Sequence, residues 1–131
     1  MEIAERMKGL AFIQVRAARE ADGGFLDFSQ DSLSALDRLI DRDVKGEPKD
    51  PDALSEVIGA YLGETISRRL GAAWEDADKG PRMRLGELVL DPVLRARLRL
   101  QRGGRRSLAA YFRAVDEASR AGQSGEGLED A

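Results

Sequence analysis

Between Pro51 and Leu70 the chain carries apolar residues on two sides of a helix, and this segment restricts the fold more than any other. At a period of 3.6 residues, Leu54, Val57, Ile58, Tyr61, Leu62 and Thr65 share one face, while Gly59 and Gly63 line up with Ile66 and Leu70 on another. A helix apolar on two faces needs cover on both, which predicts a central position. The two glycines, four apart, make a smooth groove where another backbone can approach closely. The same spacing occurs in membrane helix dimers, but Glu56, Glu64, Arg68 and Arg69 on this helix point to close packing inside a water-soluble core.

The other elements follow from period and punctuation. Ile3 to about Ala21 reads as an amphipathic helix stopped at Gly23-Gly24. Ser29 is a suitable N-cap for a second helix with the stripe Leu33, Leu36, Leu39 and Ile40, ending near Arg42. Asp43 to Pro51, with two prolines, a glycine and mostly charged residues, reads as a mobile surface loop. After Gly71 the pattern shortens to three candidate strands, Ala72–Asp76, Arg82–Leu85 and Leu88–Leu90, the last two joined by a Gly86-Glu87 turn. Asp91-Pro92 opens a further helix, although Leu94 to Leu100 alternates apolar residues with arginine as a strand would. A last helix starts near Ser107, with Leu108, Tyr111, Phe112, Val115 and Ala118 inward. The expected fold is α+β: three N-terminal helices, a short three-stranded antiparallel meander, and two C-terminal helices packed back on the sheet. Residues 1–121 form one domain, and 122–131 form a disordered acidic tail.

The 131 residues include neither cysteine nor histidine, which removes disulfides, thiol nucleophiles, imidazole-bound metals and every Ser-His or Cys-His mechanism. Glu75, Asp76 and Asp78 lack the longer ligand pattern of a calcium loop and read as a solvated turn. We therefore expect no catalytic residue, no metal and no cofactor. The opening residues lack a secretory pattern and no apolar run approaches the roughly 18 residues of a membrane span, which predicts a cytoplasmic protein without a membrane partner. A net charge of −3 disfavours nucleic acid.

That charge is unevenly spread: residues 92–114 hold seven arginines and no acid. Arg95, Arg99 and Arg102 share a ridge if the segment is helical, and Arg105 and Arg106 follow it. The planar guanidinium donates paired hydrogen bonds to carboxylates, so this cluster is the expected contact with an acidic protein partner, or with a second copy through its acidic 31–56 region. The competing expectation is a solvated face neutralised by the chain's own acids. Two other functions stay open: a small-molecule or enzymatic pocket near Tyr61, Glu64 and Trp74, and weak nucleic-acid binding. Phe12 falls off the main stripe of its helix, among Lys8, Arg16 and Arg19, and with Val15 suits either a second core contact or a partner surface.

The combination Ser29-x-x-Ser32-Leu33-x-x-Leu36-Asp37, then Tyr61-Leu62-Gly63-Glu64, then Leu70-Gly71-x-x-Trp74 resembles a pattern in small uncharacterised bacterial proteins. With Gly104 and Tyr111 it spans roughly residues 29 to 115. The resemblance implies a compact helical domain with a small sheet and carries over no catalytic residue.

Overall fold

The computed structural model describes residues 2–21 and 24–122. The chain runs α1 (Ile3–Glu20), α2 (Gln30–Asp43), α3 (Pro51–Leu70), β1 (Ala73–Ala77), β2 (Gly80–Leu85), β3 (Leu88–Leu90), α4 (Pro92–Arg102), a 3-10 turn (Gly103–Arg106) and α5 (Leu108–Ala121). This is the expected α+β order. The expected acidic tail lies outside the described residues apart from Gly122, whose left-handed backbone ends α5. Gly23 of the expected α1 stop lies outside them too. None of the described helices is long and apolar enough to cross a membrane.

Local chemistry sets the helix ends. The Ser29 hydroxyl accepts from the Ser32 N–H, Asp50 from the Ala53 N–H, Asp91 from the Leu94 N–H and Ser107 from the Ala110 N–H. Proline follows the cap of both α3 and α4, where its missing N–H costs nothing. The three strands form one antiparallel sheet in chain order, with Trp74 opposite Met83 and Met83 opposite Leu90. These three side chains, with Leu88, are buried on the inner face. Gly86 takes a positive φ of 59° in the β2–β3 turn, a conformation that glycine adopts without strain. Asp78 and Lys79 alone join β1 to β2, a tighter turn than the residue pattern implies.

α3 is the axis of the molecule. It touches α1, α4, α5 and β1, and its residues Ile58 to Ile66 are all buried. The two glycines explain how so much can gather round one helix. A Cβ at position 59 would lie 2.6 Å from the Val93 Cα, so the start of α4 presses on α3 at backbone distance. A Cβ at position 63 would overlap the Trp74 indole, which lies across α3 where a side chain would otherwise stand. The last helix departs from expectation. α5 rests mainly on α2 rather than on the sheet, while α4 alone of the two C-terminal helices makes its main contacts with α3 and also reaches β2.

Gly59→Ala is expected to cost about 1–3 kcal/mol, because backbone cannot move aside as a flexible side chain would. Gly9, exposed in α1 with open space around it, provides the opposite sign: Gly9→Ala is expected to stabilise by about 0.5–1 kcal/mol. Denaturant unfolding of both variants checks the pair, and an equal loss at both positions would contradict the packing role of position 59.

Candidate functional site

α4 is a helix with its polarity turned over. The buried residues are Pro92, Arg95, Ala96 and Arg99, whereas Leu94 is exposed. Helical spacing puts Arg95 and Arg99 one turn apart, and both point inward. The expectation that Arg95, Arg99 and Arg102 form one outward ridge therefore fails for the first two, each only 2% exposed. Arg95 lies over the Tyr111 ring at 4.4 Å from its centroid. Arg99 donates from Nε to Asp37 Oδ1 at 2.8 Å, and from Nη2 to the Asp37 carbonyl at 3.0 Å and to Asp41 Oδ1 at 2.7 Å. Burial alone would lower the Arg99 pKa, but the bonds to Asp41 and Asp37 outweigh it and hold the group above its ordinary value.

Asp37 serves a second helix as well. Its Oδ1 accepts from the Leu108 N–H at 3.0 Å and its Oδ2 from the Ala109 N–H at 3.1 Å, the first two amides of α5, which have no partner within their own helix. The negative charge also faces the positive end of the α5 dipole. One carboxylate on α2 thus ties α4 to α5. Arg102 and Arg105 remain exposed and Arg106 is half-buried, so what the arginine cluster presents to solvent is its last part.

The Tyr61, Glu64 and Trp74 group is core rather than pocket. All three are buried, and none lines the clefts described below. The Tyr61 hydroxyl accepts from the Phe28 N–H at 2.8 Å and shares a hydrogen bond with Ser32 Oγ at 2.6 Å; burial pushes its pKa up. Glu64 accepts from the Trp74 indole N–H and from Arg68 Nε, both at 3.4 Å.

Tyr61 instead braces a surface the sequence disclosed only in part. Phe28 has a φ of 61°, a left-handed conformation that for a bulky residue costs about 1–3 kcal/mol. Three contacts hold it there: the Tyr61 hydroxyl on its N–H, Arg69 Nε on its carbonyl at 2.8 Å, and its ring stacked on Tyr61 at 4.8 Å between centroids. The guanidinium of Arg68 covers the other side of the Phe28 ring at 3.8 Å and lies 5.7 Å from the Phe12 ring. Phe12 meets Phe28 edge-on, and yet is 47% exposed; Phe25 is 70% exposed, with Arg19 over it at 5.6 Å.

A shallow cleft of about 470 Å³ runs between these rings, bordered by Arg16, Arg19 and Asp27. Asp27 is bound by the Ser29 hydroxyl and N–H, which lower its pKa and keep it charged. Arg16, Arg19 and Arg69 are in no ion pair among the described residues. Two exposed phenylalanines among four exposed arginines, in a protein of net negative charge, make this the most distinctive outward-facing group of side chains. Phe12 was legible as an off-stripe aromatic; Phe25 and the end of α3 were not. Comparison with protein-family models, curated proteins and solved structures finds no match.

Asp37→Ala leaves the buried Arg99 charge with only part of its compensation and removes the α5 cap, and is expected to cost about 3–5 kcal/mol. Arg99→Met is expected to cost less, because Asp37 keeps two backbone donors and the apolar chain fills the same space. Urea unfolding of the two variants measures the order, and a milder effect of Asp37→Ala would contradict it.

Proposed function

We propose that this domain is a non-enzymatic module that binds an acidic protein partner, and that the Phe12–Phe25 face with Arg16, Arg19, Arg68 and Arg69 receives it. The observation that carries the reading is the pairing of exposed rings with arginines: Arg19 covers Phe25, and Arg68 spans Phe12 and Phe28. Rings give desolvated contact area at little entropic cost, and arginines beside them supply charge-assisted hydrogen bonds to carboxylates. The acidic partner expected at residues 95–106 is assigned to this face instead. Arg95 and Arg99 are engaged within the chain, while Arg102 and Arg105 stand at the end of α4 without an exposed large aromatic residue.

Exposed rings among arginines also suit single-stranded nucleic acid, whose bases stack on aromatic side chains. The net charge of −3 opposes a polyanion as a whole and favours a partner with local acidic groups.

The test is a peptide array of Asp/Glu-rich sequences with and without apolar residues, run beside an oligothymidylate. Acidic peptides with an apolar residue are expected to bind, and Phe25→Ala and the pair Arg16→Glu with Arg19→Glu are each expected to weaken binding by about tenfold or more at unchanged melting temperature. Binding by the oligonucleotide alone, or loss on Arg102→Glu with Arg105→Glu but not on the α1 variants, would contradict the proposal.

A further inference from the structure

A second depression, of about 880 Å³, opens between the α2–α3 loop and α4, away from the aromatic face. Its volume falls in the range of about 300–1,000 Å³ common to small-ligand sites. Val44, Pro48 and Leu100 give it an apolar wall. Its charged groups are unequally engaged. Arg99 is held by Asp37 and Asp41, so it offers shape rather than charge. Arg97 differs: it makes a single hydrogen bond, from Nη2 to Asp52 Oδ1 at 2.8 Å, and that carboxylate is itself 78% exposed. The Arg97 Nε is buried without an acceptor, but the side chain is 42% exposed, so the donors within a ligand's reach are those of its Nη groups.

The facing loop supplies both signs. Glu47 is in no ion pair among the described residues, and Lys45 gives its ammonium only to the backbone carbonyl of Asp41, at 2.7 Å. An incompletely paired guanidinium on one wall, and an unpaired carboxylate and ammonium on the other, border one apolar surface. A ligand of one charge would leave a like charge facing it, whereas one that carries both signs satisfies both walls.

We propose that this cleft binds a small zwitterion with an apolar segment, its carboxylate accepting from Arg97 and its ammonium facing Glu47. Free α-amino acids and short peptides share this chemistry. The inference is independent of the partner assigned to the aromatic face.

Amide NMR titrations of the full chain separate the possibilities, with leucine, trileucine, leucine amide, N-acetyl-leucine and N-acetyl-leucine amide as probes. Leucine or trileucine is expected to shift residues 44–47 and 97–101 saturably, with the three blocked forms at least about tenfold weaker. Preference for leucine assigns the site to free amino acids, and preference for trileucine to peptides. Glu47→Gln, on the exposed loop, and Arg97→Gln are each expected to weaken binding by about tenfold, while Phe25→Ala leaves it unchanged. Absence of saturable shifts with both zwitterions, equal binding of a blocked form, or full affinity in folded Glu47→Gln would overturn the proposal.

Discussion

The carboxylate of Asp37 is the point on which the C-terminal half of the molecule turns. It accepts from the Arg99 side chain of α4 and from the first two amides of α5, so three helices distant in sequence meet at two oxygen atoms. Neither partner would be tolerated alone. A guanidinium 2% exposed needs compensating charge, and a helix start packed into a core needs acceptors for its amides. Asp41 at the rim takes a further donor of Arg99, which spreads the charge over two carboxylates. The consequence for function is direct: guanidinium groups used here cannot also meet a partner.

α3 solves a different problem, that of placing many neighbours round one helix. Gly59 lets the first turn of α4 approach at backbone distance, and Gly63 makes room for the Trp74 ring and so for the inner face of the sheet. The close approach at Gly59 fixes where α4 begins, and the Asp37 network fixes where it ends. The rotation of α4 then follows, with Arg95 and Arg99 inside and Leu94 outside.

Much of this was legible in the sequence. The two-sided apolar pattern with Gly59 and Gly63 placed α3 at the centre, and Ser29 and Asp91 marked helix starts that the structure retains. The rotation of α4 was not legible, for a physical reason. Alternating Leu and Arg fits a strand or a helix, and the rule that apolar residues face inward selects the wrong face when buried arginines have partners. The signal lay elsewhere, in Asp37, an acid set within the stripe Leu33, Leu36 and Ile40. An acid on the buried face of one helix calls for a cation or amides from another, but only the tertiary structure names them. In the same way Phe12 stood out along its helix, whereas Phe25 gained significance only when the left-handed turn at Phe28 brought the 24–28 loop beside it.

The molecule thus separates two uses of arginine. On α4 Arg95 and Arg99 are structural, buried and engaged with their own chain; on α1 and at the end of α3 the group lies over aromatic rings at the surface. The division depends on the Asp37 cap, and native-state hydrogen exchange at the Leu108 and Ala109 amides tests that cap most directly. First-turn amides of a helix ordinarily exchange freely, having no intrahelical acceptor. Bound to Asp37, these two are predicted to exchange with the slowest amides of α3, through global unfolding; exchange as fast as at the exposed start of α1 would contradict the account.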